Sequence, residues 1–140
     1  MVSMEEFAER LIQLGARWQS RPLPRRRFDR EILMKSILLV LDSGRIYSER
    51  EINAELELWN VEVVPAIDTD YVTVRRMLVD YGYLERTADG RAYRVGFPPR
   101  PMAFDLEVED LDVRATVAAY RESHPRRPSS DRAQQVDVSD

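Results

Sequence analysis

The stretch DYVTVRRMLVDYGYLERTADGRAYRV, residues 70–95, changes its hydrophobic period at Gly82, and that change constrains the fold more than any other feature. Before Gly82, at about 100° per residue, Tyr71, Val74, Leu78 and Tyr81 share an arc of about 80° with Met77 beside it, one apolar helix face. Asp68, Thr69 or Asp70 can cap the start of this helix, and Gly82 closes it. After Gly82 come two short extended runs, Tyr83–Arg86 and Arg91–Val95. The Asp89-Gly90 pair between them favours a tight hairpin turn, and Leu84 is expected to face inward.

Upstream, one start device occurs twice. Ser3 and Glu6 fit the S-x-x-E capping box, with Val2 and Phe7 as the hydrophobic staple; Ser48 and Glu51 repeat it, with Tyr47 and Ile52 as staple. From the first start, Phe7, Leu11, Leu14 and Trp18 recur at helical spacing, and from the second Ile52, Leu56 and Trp59 do. Between them, Pro22 and Pro24 make residues 21–27 an extended basic connector. Phe28–Leu41 reads as a helix with Ile32, Leu33, Ile37, Val40 and Leu41 inward. Asp42-Ser43-Gly44 ends it, with Gly44 suited to the left-handed C′ position, and Arg45–Tyr47 reads as a short strand. Three prolines break Phe97–Pro101. Leu111, Ala115, Val117 and Ala118 then mark a last helix from near Asp110 to Ser123, and the polar residues 124–140 read as disordered.

Helix, short strand, helix, helix, hairpin is the order of a winged helix-turn-helix. The expected fold class is therefore α+β, mostly helical. A winged-helix core (residues 28–96) carries an extra N-terminal amphipathic helix (1–20), joined by the basic connector (21–27), and a C-terminal extension with a helix (97–123).

The totals narrow the chemistry. The chain has no cysteine, which excludes disulfides, thiolate zinc sites and thiol nucleophiles. Its single histidine, His124, lies in the polar HPRRPSSD stretch, away from any expected packed site. That removes most metal centres and every histidine-based triad. The reading is non-enzymatic, with no cofactor and no metal. No apolar run approaches the roughly 20 residues of a membrane helix, and Glu5, Glu6 and Glu9 sit where a signal peptide would turn apolar, so a cytoplasmic protein without a membrane partner is expected. The net charge of −4 argues mildly against nucleic acid, but its distribution matters more. Residues 21–30 carry +4, and residues 97–140 carry −3.

The segments LPRRRFDREIL, GRIYSEREIN and DYVTVRRMLVDYGYLER, spanning Leu23 to Arg94, resemble a bacterial domain family of unknown function. That domain occurs alone or fused to helix-turn-helix regulators of the arsenical-resistance-repressor type. The shared motifs are the PRRR entry, the Y-S-E-x-E-I-N start and the Y-x-T-x-R-R-x-L-V-D-Y-G core. The resemblance implies a winged-helix-like domain associated with transcription and brings no catalytic residue. The chain departs from a compact helix-turn-helix in one place. Ten residues separate Trp59 from Asp70, where a helix-turn-helix turn usually has about 3–4.

Two functions compete. In the first, the protein is a DNA-binding transcriptional regulator or an accessory to one. Arg75 and Arg76 with Thr73 would then enter the groove of double-stranded DNA. Arg86, Arg91 and Arg94 of the hairpin and Arg25, Arg26 and Arg27 of the connector would lie on phosphates. Against this, Arg76 and Asp80 stand at i, i+4 and can simply pair, and Asp70 and Asp80 flank the helix arginines. In the second, the fold is a protein-interaction module, a homodimer or a scaffold for another protein. Its interface would be Phe7, Leu11, Leu14 and Trp18 with the linker valines Val61 and Val63.

Overall fold

A computed structural model describes residues 1–126. Helix α1 (Met4–Leu11) opens on the expected capping box: Glu6 N–H donates to Ser3 Oγ at 3.1 Å, and the Glu6 carboxylate accepts from Ser3 N–H. It widens into a π-helical turn over Ile12–Ala16 and stops at Arg17, whose backbone is extended. The N-terminal helix is thus shorter than the apolar spacing implies, and Trp18 leaves its face.

Strand β1 (Arg21–Pro22) leads to α2 (Arg27–Val40). This helix buries Asp29, Glu31, Ile32, Leu33, Met34, Ser36 and Ile37, residues on several sides of the cylinder, as a central helix must. Val40 stays partly exposed. Gly44 does not take the left-handed conformation expected of it: only Gly82 and Gly90 have positive φ among the described residues. The Asp42 side chain makes that turn instead, accepting from Gly44 N–H at 2.9 Å.

Strand β2 (Tyr47–Ser48) runs into α3 (Glu49–Glu62), again started by a complete capping box, Ser48 with Glu51. Asn60 and Val61, which the sequence pattern assigns to a linker, belong to α3. Beyond it, Val63 and Val64 are buried and β3 (Ile67–Asp68) pairs in parallel with β1, Arg21 opposite Ile67. Asn60 holds this link, donating to the carbonyls of Val64 and Ile67 at 3.0 Å each.

Helix α4 (Tyr71–Asp80) buries Val74 and Leu78; Tyr81, just past its end, is half exposed under the Arg30 guanidinium. Strands β4 (Leu84–Arg86) and β5 (Ala92–Val95) form the hairpin, Gly90 taking the positive φ of its turn, and Leu84 is buried as expected. The antiparallel sheet has the order β2–β5–β4.

A short 3₁₀ turn (Leu106–Asp110) and α5 (Val113–Ser123) complete the described chain. Helix α5 buries Val113 and Val117, while Ala115 and Ala118 face out, so its packed side differs from the expected one. It covers the π turn, α2 and α3. Its end closes on the N-terminal segment: Trp18 Nε1 donates to the His124 carbonyl at 2.8 Å, and the Arg121 guanidinium lies 3.5 Å from the Trp18 ring centre. His124 also stacks on Tyr120 at 4.2 Å. It is therefore ordered, unlike the disorder expected from residue 124; residues 127–140 of that expectation lie outside the described residues.

The proposed partner interface needs correction. Phe7, Leu11, Leu14 and Val63 are fully buried in the protein's own core, where α2, the link and the C-terminal segment cover them. Phe7 meets Phe104 edge to face at 5.7 Å. Only Trp18 and Val61 of that set reach solvent.

Of the glycines, Gly15 sits closest to its neighbours. A β-carbon there would lie 2.4 Å from Val64 Cγ1 and 2.8 Å from Val64 Cα, while the Gly15 carbonyl accepts from Ala66 N–H at 2.8 Å. The neighbour includes backbone and is held by hydrogen bonds, so it cannot yield cheaply. Gly15→Ala should destabilise the protein by about 1–3 kcal/mol, measured as a lower urea midpoint at unchanged m-value; an unaltered midpoint would show that the link moves freely.

Candidate nucleic-acid interface

The Asp70 side chain starts α4, accepting from Thr73 N–H at 2.8 Å and from the Thr73 hydroxyl at 3.2 Å. The Thr73 amide, above all, holds the Asp70 carboxyl below its ordinary range. From this start, Val72, Thr73 and Arg76 point to solvent.

Arg75 does not share that outward direction. Its guanidinium turns back onto α3, donating to Asn53 Oδ1 and lying 3.6 Å from the Glu49 carboxylate, with its side chain mostly covered. Two adjacent arginines thus take different work. Arg86 from β4 approaches from the other side, donating to Tyr93 Oη at 3.1 and 3.0 Å. That contact raises the Arg86 pKa further above its usual value. Helix and hairpin together form an open cleft of about 320 Å³ lined by Val72, Arg75, Arg76, Val79, Asp80, Arg86 and Tyr93.

The remaining predicted residues stand apart from this cleft. Arg94 pairs with Glu85 across the hairpin at 3.0 Å. Arg91 is exposed beside the turn, where its backbone N–H donates to Asp89. Arg25 and Arg26 are exposed in the connector. Arg27 opens α2, donates to the Arg100 carbonyl at 2.9 Å and lies 3.9 Å from Glu31. Among the described residues, no ion pair joins the connector arginines to the acidic residues of 105–112. Glu109 of that run pairs with Lys35 instead.

Residues 20–95 match a family model described as an uncharacterized protein conserved in bacteria, DUF2087. The chain belongs to the DUF2087 family. No curated protein and no solved structure matches it. The DUF2087 segment runs from β1 through β5 and contains every residue of the cleft; α1 and α5 fall outside it. Among the described residues no group of three or more histidine, aspartate or glutamate side chains could hold a metal ion, and no helix is long and apolar enough to cross a membrane.

Sequence reasoning missed a buried pair behind these elements. Tyr83 Oη donates to Glu31 on α2, and both side chains are buried. Burial raises the Glu31 pKa, opposed by Arg27 and Arg30. Nothing in the spacing of residues 31 and 83 announces the pair.

A carboxyl with a raised native pKa holds its proton more tightly when folded. The stability it contributes is complete below its unfolded pKa and is lost as pH rises through the folded value. Glu31→Gln lacks that loss. The variant should therefore gain stability relative to the parent as pH rises above the ordinary glutamate range, read from urea midpoints at each pH; a parent that gains on the variant instead would mean that the Arg27 attraction outweighs burial.

Proposed function

We propose that this protein is a non-enzymatic winged-helix module that binds double-stranded DNA, as a transcriptional regulator or an accessory to one. The observation that carries the reading is the meeting of α4 and the β4–β5 hairpin in one cleft with Arg76 and Arg86 on its walls. In winged-helix terms α3 and α4 are the helix pair, α4 is the reading helix and the hairpin is the wing. The sheet order β2–β5–β4 fits, because it seats the first short strand against the second hairpin strand.

The long link between α3 and α4 is compatible with this arrangement. Its surplus residues are absorbed by the β1–β3 ribbon and by burial of Val63 and Val64, so α4 still packs on α3. The resemblance to domains fused to arsenical-repressor-type regulators points the same way. The competing interaction reading loses most of its surface, since Phe7, Leu11, Leu14 and Val63 are interior.

Within the site the roles divide. Arg76 and Val72 face the groove from α4. Thr73 shares its hydroxyl with Asp70, so its amide and side chain chiefly set the start of the helix. Arg75 braces α4 on α3, and Arg86 supplies a phosphate contact from the wing.

The test is duplex binding by fluorescence anisotropy over a salt series. Log affinity should fall against log salt with a slope of about −0.9 per phosphate contacted. Arg76→Gln and Arg86→Gln should each weaken binding and flatten that slope by roughly 1, while Arg94→Gln, already paired with Glu85, should change neither. Failure of micromolar protein to retain any duplex at low salt would sink the proposal.

A further inference from the structure

A second cleft of about 320 Å³ lies between the first turn of α2, the end of α4 and the proline segment after the hairpin, and it is lined by Arg27, Arg30, Glu31, Tyr81 and Pro98–Arg100. Three arginines and one glutamate are among the residues that line it. That carboxylate, Glu31, already accepts from the Tyr83 hydroxyl. The Arg30 guanidinium rests on the Tyr81 ring at 4.0 Å, which fixes its plane. Its Nε is buried and has no hydrogen-bond partner. Neither the Arg30 nor the Arg100 side chain forms an ion pair among the described residues.

Here Arg30 is charged and stacked in place, and two further arginines line the same cleft, Arg27 anchored on the Arg100 carbonyl. Planar forked donors around an excess of positive charge suit a tetrahedral oxyanion with several acceptor oxygens. We propose that this cleft is a phosphate-binding site, with Arg27, Arg30 and Arg100 supplying the positive charge and donors, distinct from the α4–hairpin cleft. The phosphate belongs either to a nucleic-acid backbone or to a free phosphorylated small molecule. The inference does not require that the protein bind DNA.

The experiment follows the arginine Nε–H resonances of the full chain by NMR while inorganic phosphate is added. The Arg30 signal should move saturably, and Arg100→Gln should raise the concentration needed by about tenfold. Arg100 is the chosen position because its side chain is exposed and its removal leaves the Tyr81 stack in place. Duplex DNA is then added to the phosphate-free protein. A duplex that shifts the same signal, and is displaced by phosphate, identifies a backbone phosphate. A duplex that leaves the signal unmoved, after phosphate has moved it, identifies a free phosphorylated ligand. An Arg30 signal that shifts no more than those of the ion-paired Arg45 and Arg94, or an affinity indifferent to Arg100→Gln, overturns the proposal. Duplex binding that depends on Arg76 but not on Arg100, with no saturable phosphate shift at Arg30, would leave the DNA reading standing without this site.

Discussion

The indole of Trp59 is the interaction on which the rest of the structure depends. It is the largest side chain wholly inside the protein, and its N–H must find an acceptor there. Ser36 on α2 supplies one: its Oγ accepts from Trp59 Nε1 at 2.9 Å and donates to the Leu33 carbonyl at 2.6 Å. This chain of two bonds sets the rotation of α3 about α2. With that rotation fixed, Ile52 and Leu56 face the core, and Glu49 and Asn53 emerge on the side where Arg75 of α4 meets them. The cleft proposed for DNA is thus positioned by a polar contact deep in the core.

Around this centre α2 acts as the hub. Arg10 of α1 grips buried Asp29 with two bonds, Nε to Oδ1 at 2.7 Å and the second guanidinium nitrogen to Oδ2 at 2.9 Å. That contact raises the Arg10 pKa and satisfies an acid that would otherwise be costly to bury. Tyr83 serves Glu31 two residues further on. The two carboxylates that the N-terminal half of α2 places in the interior are each claimed by a different neighbour, so they also orient α1 and the base of the hairpin.

What could be read from the sequence was whatever depends on neighbours along the chain. Both capping boxes, the change of period at Gly82 and the turn at Gly90 are decided within a few residues, and each appears in the structure. The features that escaped depend on distant partners. The π turn ends α1 early where Gly15 meets Val64, and the link pairs with β1 rather than running free. Helix α5 selects Val113 and Val117 because the π turn, α2 and α3 offer it a surface, which no periodicity within α5 can reveal. The same divide runs through the site. Adjacent arginines look equivalent in sequence, yet Arg75 has Glu49 and Asn53 within reach and Arg76 has none of these. Arg30 stands three residues after Arg27, so the basic run visibly continues by one helical turn. Only the folded chain brings Arg100 to it.

The N-terminal residues have a kinetic meaning as well as a structural one. Val2 donates to the Ala103 carbonyl at 2.9 Å and accepts from Asp105 N–H at 2.8 Å, so it seals a loop of about a hundred residues. A contact this remote in sequence has little to hold it until both flanks already lie against the folded α2–β5 body. Loop-closure entropy therefore places the seal late in folding and makes it a natural first point of opening. The seal formed by Val2 with Ala103 and Asp105 would then open and close as a local unit while the core behind it stays intact. Amide exchange at Val2 and Asp105 would report on that partial opening, independently of the global unfolding seen at Trp59.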